Sequence, residues 1–219
     1  PRIGGVKRDI PIGFADRMIA KVKLFEKRIE EYEMLLDEST IWLVRLQGVG
    51  YAKAEDMVEA GVSGPNVRAA GVNYDVRWSH PYSVYDQVDW EPAVEKPTSV
   101  KGADCYDRYR VRMEEMRQSS RMILDAIEKI PGGKNTNYSS GDEMILTKAP
   151  TRAPEGATGF SNYECTRGAS QFYIQGGGEG RGKNPYRLSI RSPMFITIPY
   201  VADTMIGYKI ADIPAIMGS

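Results

Sequence analysis

GADCYDRYRVRMEEMRQSSRMILDAIEKI, residues 102–130, decides the fold. Tyr106, Tyr109, Met113, Met116, Ser120, Ile123, Ile127 and Ile130 recur at alternating steps of three and four, which lays them along one stripe of a long helix. Arg, Glu and Asp fill the other positions, a pattern that predicts a charged outer surface. Asp104 stands where an N-cap belongs, with a carboxylate able to accept from first-turn N–H groups. Pro131-Gly132-Gly133 stops the helix. The stripe begins aromatic, passes through methionine and ends aliphatic, and the small Ser120 lets a neighbouring backbone come close. Such a stripe is a core-packing pattern before it is a cofactor box.

A second stripe lies upstream. Met18, Val22, Phe25, Ile29, Tyr32 and Leu36, at steps of four and three, predict a helix over residues 14–38, with Glu26, Lys27, Arg28, Glu30, Glu31 and Glu33 on its solvated faces. Two long helices with matching stripes are expected to pack side by side. Residues 41–46 form a shorter apolar stretch ended by Gly48 and Gly50, and residues 53–60 a short helix stopped by Gly61.

Composition narrows the function classes. The 219 residues hold 29 Lys plus Arg and 29 Asp plus Glu, a net charge of zero. That balance argues against a nucleic-acid binder and suits a chain held inside an assembly. Cys105 and Cys165 lie far apart with no CxxC spacing, and His80 is the lone histidine, so a metal or iron–sulfur site built by this chain alone is not expected. No apolar run approaches the roughly 18 residues of a membrane span, and no signal peptide is visible. The chain opens at Pro1 without methionine, from which an upstream segment is expected.

The remaining segments read as loops and a hairpin. Residues 64–72 are turn-rich, and the aromatic stretch that follows carries Pro81, Pro92 and Pro97, which forbid a long helix. Arg68 and Arg77 in this region have the fork geometry that binds an anion or carboxylate. Fixing loop backbone or an acidic neighbour is the plainer role for both. His80, beside a proline, reads as a surface histidine. Residues 132–162, rich in Gly, Pro, Thr, Asn and Ser, read as a long, partly mobile excursion. Residues 163–174 and 186–191 read as the arms of a hairpin with a glycine-rich tip at 176–183. That tip lies between two strands, so no helix N-terminus is aimed at a phosphate. Pro193 and Pro199 interrupt the chain, and residues 201–217 form a last apolar helix broken near Pro214, in which Asp212 needs a partner.

Several blocks together are distinctive: Arg2-Ile-Gly-Gly-Val with Asp9-Ile-Pro, residues 64–77 (GPNVRAAGVNYDVR), residues 81–86 (PYSVYD), residues 104–119 (DCYDRYRVRMEEMRQS) and residues 185–195 (PYRLSIRSPMF). In order and spacing, over nearly the whole chain, they resemble the 49-kDa or D-type subunit of respiratory complex I, the proton-pumping NADH–quinone oxidoreductase. The block at 104–119 is the most specific. The resemblance implies one domain, residues 1–219, that is mainly α with a small antiparallel β part: long packed helices plus a late β-hairpin, as in the large subunit of nickel–iron hydrogenases. Hydrogenases hold their metal through paired CxxC motifs, which this sequence lacks.

The resemblance further implies a peripheral subunit on the cytoplasmic side of an energy-transducing membrane, part of an oxidoreductase linked to NADH and to electron transport. It would bind no cofactor itself, and would shape a quinone chamber against the iron–sulfur B subunit, whose cluster supplies the electrons. Other peripheral-arm and membrane subunits would be further partners. The family's quinone-headgroup histidine and tyrosine belong to a region ahead of Pro1, and its closing Asp-Arg motif to one after Ser219. The chain thus reads as an internal or C-terminal fragment, inactive alone, and no quinone ligand is carried over to it. Arg68, Arg77, Arg112 and Glu115 are the polar candidates, and Arg112 and Glu115 stand three apart on the helix, where they can pair. A shorter polar stretch between Lys134 and Tyr163, a longer hairpin tip and Cys165-Thr166-Arg167-Gly168 depart from the family pattern. These leave the donor open among NADH, a deazaflavin coenzyme and ferredoxin. The alternative is a structural docking module without chemistry of its own. A hydrogenase-like enzyme would need four cysteines.

Overall fold

The computed structural model describes residues 5–6, 10–130, 145–146, 153–177 and 184–219. It is mainly helical with a small antiparallel sheet. The central element is α6, Cys105–Lys129, preceded in chain order by α1 (Phe14–Asp37), α2 (Thr40–Leu46), α3 (Ala54–Glu59), α4 (Pro65–Ala69) and α5 (Val76–Ser79). Asp104 caps α6 through a reciprocal box: its carboxylate accepts from Asp107 N at 2.9 Å, and Asp107 accepts from Asp104 N at 3.1 Å. The prediction of α6 and its cap holds, although Ile123 of the predicted stripe is exposed.

The charged outer surface expected for α6 is absent along its first four turns. No residue from 102 to 120 is exposed, and Asp107 and Arg108 are buried. The reason is that α6 is packed on several sides, by α1, α2 and α4. Several of its polar residues are therefore satisfied inside the protein. Asp107 also accepts from Thr98 N (3.2 Å), and Arg108 reaches the carbonyls of Gly50 and Ala103.

Helix α1 packs on α6 as expected, but on a slightly rotated face. Val22 and Ile29 are buried, whereas Phe25 and Tyr32 are 42% and 52% exposed. Glu26 and Glu33 occupy the half-buried positions instead. Glu33 pairs with Arg117 of α6, so a polar contact between the helices fixes the face that a purely apolar reading misplaces.

The segment expected to be a turn-rich loop contains α4, which starts at Pro65, where a missing N–H costs nothing. Val67, Ala69 and Ala70 pack there with Met57, Val62, Ala103 and Val111 into the main apolar core. The predicted two-armed hairpin is a three-stranded sheet: β3 (Thr158–Cys165), β4 (Gly168–Gln175) and β5 (Arg187–Arg191), in the order β3-β4-β5, all antiparallel. Thr166-Arg167 turns the chain inside what the sequence suggested was one arm, and β3 begins within the excursion expected at 132–162. Most of that excursion, residues 132–144 and 147–152, and residues 178–183 of the glycine-rich tip at 176–183 lie outside the described residues. A two-residue ribbon pairs β1 (Gly5–Val6) with β2 (Ile145–Leu146).

Two glycines weld the sheet to α4. Gly64 and Gly168 both have positive φ, and a Cβ on either would meet the other strand of chain at 2.5 Å, Gly168 Cα in one case and Ser63 Oγ in the other. Ser63 Oγ then accepts from Ala169 N at 2.9 Å.

At the C-terminal side, α7 (Met194–Thr204) runs through Pro199 rather than being interrupted by it. The proline sits past the first turn and forfeits one hydrogen bond, the one its N–H would give to the Phe195 carbonyl. The expected helix over 201–217 is in fact the end of α7, a turn with Gly207 at φ 92°, a 3-10 turn at Ile210–Asp212 and α8 (Ile213–Gly218). Asp212 has the partner it needs, Arg45 at 3.1 Å. Among the described residues no helix is long and apolar enough to cross a membrane.

Candidate functional site

The short helices α4 and α5, the middle of α6 and the end of β3 converge on one buried ionic network. Its hub is Arg68, whose side chain is 2% exposed. Its Nε and Nη2 donate to Glu115 Oε1 (3.1 and 2.6 Å), and Nη1 donates to Glu164 Oε1 (2.9 Å) and to the Tyr74 carbonyl (3.0 Å). Asp75 lies 3.1 Å away on the same nitrogen. A guanidinium taken from water into such a site is tolerable only because its donors are met by charged acceptors.

Asp75 is placed by the local chain. It caps α5, accepting from Arg77 N at 2.9 Å, and the same carboxylate takes the Arg77 side chain at 3.0 and 2.7 Å. Arg77 then lies over the Trp90 ring, 4.7 Å from its centroid, and 5.6 Å from that of Tyr85. Glu164 closes the circle from β3, accepting from Val76 N at 3.3 Å, while its own N–H donates to the Tyr82 hydroxyl.

Three carboxylates and two guanidiniums share this space, and burial acts on Arg68, Arg77 and Glu164. Burial alone would lower the Arg68 and Arg77 pKa values; the neighbouring carboxylates outweigh it and hold both above the usual arginine range. Glu164 goes the other way. Burial raises its pKa, the nearby Asp75 adds to this, and Arg68 offsets it only in part. The network is thus a clamp with one carboxylate biased toward holding a proton.

Arg68, Arg77 and Glu115 are brought together, with Glu115 given to Arg68. The Arg112–Glu115 pair suggested by helical spacing does not form, because α4 presents a guanidinium with two donors to Glu115 from across the core. Arg112 instead donates to the Arg108 carbonyl within its own helix (2.9 Å). Burial, followed by the like charges of Arg167, Arg108 and Arg68, lowers its pKa to about 10 against the partial support of Glu115. His80 is exposed and contacts Ser79 Oγ.

Sequence reasoning missed Asp75, Glu164 and Arg108. An aspartate two residues before an arginine at a helix start is a legible cap for Asp75. Glu164 has no local signal. Arg108 joins three parts of the chain through Gly50 O (3.0 Å), Cys105 Sγ (3.2 Å) and Ser219 Oγ (2.9 Å). Cys105 is buried in that contact, and Cys165 donates to the Gly168 carbonyl at 3.0 Å. Neither thiol meets further metal-binding groups: among the described residues no three His, Cys, Asp or Glu side chains converge to hold a metal ion.

Residues 1–219 match the model of the family described as respiratory-chain NADH dehydrogenase, 49 Kd subunit. The chain is 37% identical over 239 residues to the D 2 subunit of the NADH-quinone oxidoreductase of Thermodesulfovibrio yellowstonii, covering 100% of this chain and 58% of that protein. It is 37% identical over 219 residues to the D subunit of the NADH-quinone oxidoreductase of Desulforamulus reducens, covering 100% and 55%. To the H subunit of the NAD(P)H-quinone oxidoreductase of a Synechococcus strain it is 34% identical over 234 residues, covering 100% and 57%. The chain spans a little over half the length of the curated relatives it matches.

Proposed function

Because the chain belongs to the family of the 49-kDa subunit of respiratory-chain NADH dehydrogenase, we propose that it is part of a core subunit of a membrane-associated NADH–quinone oxidoreductase. In this reading it docks on the iron–sulfur subunit at the cytoplasmic side of the membrane, together with other peripheral-arm and membrane subunits, and helps to wall the quinone chamber. It serves a complex that reduces quinone and pumps protons. The observation that carries the assembly role is apolar surface. Ile41, Val44, Ile206 and Ile210 are 79%, 70%, 80% and 86% exposed, with Leu35 and Phe195 also on the outside. Large apolar side chains so exposed suit a surface that other polypeptide covers.

The chain's chemical contribution is position and electrostatics. Electrons come from a cluster held next door, and the ionic network of Arg68, Arg77 and Glu115, with Arg112 beside it, fixes the wall and its potential. NADH is the proposed donor, with a deazaflavin coenzyme or ferredoxin as the related possibilities. A second reading has one observation in its favour. Arg68, Arg77 and Glu115 all bond to one another or to neighbouring carboxylates, as in a docking module without chemistry of its own.

The test is quinone reduction by membranes from cells with and without the gene, complemented by the native gene and by Arg68→Met. The proposal expects donor-linked quinone reduction to vanish with the gene and to return only with the native copy. Unchanged activity in the deletion membranes contradicts it. Full activity with Arg68→Met removes the network from the account and leaves the docking reading.

A further inference from the structure

Four aromatic rings form a continuous chain within residues 78–90. Trp78 meets Trp90 edge-on with centroids 5.8 Å apart, Trp90 meets Tyr85 at 6.0 Å, and Tyr85 meets Tyr82 at 5.1 Å. Ser83 bends the backbone at φ 58°, and Tyr85 N donates to the Tyr82 carbonyl, which brings the two tyrosines together. The chain runs inward from water. Trp78 is 50% exposed, Trp90 is buried, and Tyr82 ends the series with its hydroxyl accepting from Glu164 N (3.2 Å) at the ionic network. Indole and phenol rings give up one electron at similar potentials, and electron tunnelling decays steeply with distance. Rings in contact therefore exchange an electron far faster than rings set apart.

We propose that these rings are a one-electron relay: oxidation of Trp78 by a radical in solvent passes through Trp90 and comes to rest on Tyr85 and Tyr82. Trp90 suits the bridge. Its indole N–H donates to the Tyr85 carbonyl (3.2 Å) away from water, so an oxidised Trp90 keeps its proton and does not settle as a neutral radical. Arg77 lies over Trp90 and Tyr85, but Asp75 accompanies it at 2.7 Å, so the stack adds little net charge to the bridge. Trp78 is exposed and Tyr82 and Tyr85 are half-buried, so the two ends can exchange protons with water. The neutral phenoxyl radical is the more stable product, which sets the direction inward. Packing accounts for the contacts; the order of exposed indole, proton-locked indole and phenols is what a relay requires. The oxidant, a radical of the azide or carbonate class, takes one electron from Trp78 and becomes a closed-shell anion, and the Trp78 indole proton goes to water. An electron then moves from Tyr85 through Trp90 to Trp78, Trp78 takes a proton back from water, and Tyr85 releases its phenolic proton. No bond to carbon forms or breaks, and a reductant of the thiol or ascorbate class returns the electron and the proton. The proposal stands apart from the oxidoreductase reading, since it rests on the ring geometry alone.

The test exposes the full-length protein to azide radicals, generated by radiolysis in the presence of a nitroso spin trap, and maps the adducts residue by residue by mass spectrometry. Adducts on Tyr82 and Tyr85 are the expected result for the native protein. Trp90→Phe keeps a ring in place that is too hard to oxidise to carry the electron. In that variant the tyrosine adducts are expected to fall several-fold and those on Trp78 to rise. Adducts confined to Trp78 in the native protein overturn the proposal. So do tyrosine adducts undiminished in Trp90→Phe, because radicals then reach the tyrosines directly. If Trp90→Phe does not fold, Trp78→Phe at the exposed end removes the entry point instead. The same several-fold loss at the tyrosines is expected there, and an unchanged yield overturns the proposal.

Discussion

Arg68 Nη2 lies 2.6 Å from Glu115 Oε1, and this contact ties the short helix α4 to the central helix α6 across 47 residues of sequence. Both elements are buried there, so the pair is a structural joint as well as a charge pair. The same guanidinium holds Asp75 and Glu164, which brings α5 and β3 to the joint.

Removing one partner of a buried pair leaves the other charge stranded. Arg68→Met strands Glu115 and Glu164, leaves Asp75 with Arg77 alone, and is expected to destabilise the protein by about 3–5 kcal/mol. Glu115→Gln keeps an acceptor for Arg68 and leaves it two carboxylates, so a smaller loss, about 1–2 kcal/mol, is expected. Denaturant unfolding of the full-length variants checks the order. Equal losses would mean that Glu115 is the only partner that matters.

The weld between α4 and the sheet is tested by glycine substitution. Gly64→Ala and Gly168→Ala each place a methyl where backbone already stands, and each is expected to cost several-fold more than Gly156→Ala. Gly156 shares the positive φ but has nothing within 4 Å of its would-be Cβ, so it isolates the conformational part, about 1 kcal/mol. Thermal midpoints of the three variants separate steric from conformational cost.

Two of the contacts that hold α1 to α6 differ in kind. Ile29 is buried against the core, and Ile29→Ala is expected to cost about 2–5 kcal/mol. The Glu33–Arg117 pair is partly exposed, so Glu33→Gln is expected to cost less than about 1 kcal/mol. Added salt should narrow the second difference and leave the first intact.

The protonation bias of Glu164 gives a pH signature with a fixed sign. Its folded pKa is raised above the ordinary glutamate value of 4.5, chiefly by burial. Its contribution is therefore fully present below the unfolded pKa and is lost as pH rises through the folded one. Unfolding free energy measured upward from pH 4.5 should fall less steeply in Glu164→Gln than in the native protein. A steeper fall in the variant would show that Arg68 dominates and that the carboxylate prefers to be charged.

Much of this architecture is legible in the sequence because it is local. The α6 helix follows from spacing, and its cap follows from Asp104 just ahead of the first turn. The face of α1 is less legible: Phe25 and Tyr32 continue the apolar period, yet they point outward while Glu33 turns in toward Arg117. Periodicity identifies a stripe, but which edge of it is covered depends on what the facing helix offers. Arg68 and Glu115 stand out as charged residues in apolar or striped surroundings, whereas Glu164, 96 residues from Arg68, has no local mark. The Arg112–Glu115 spacing suggested a pair that the fold does not make, since a better-placed guanidinium arrives from another element.

The most direct test of the central claim is purification of the full-length tagged protein from its native membranes, with mass spectrometry of what accompanies it. Co-purification with an iron–sulfur subunit and membrane subunits, in a preparation that reduces quinone, is the predicted result. A protein that comes out alone, with no quinone-linked activity in any fraction, would contradict it.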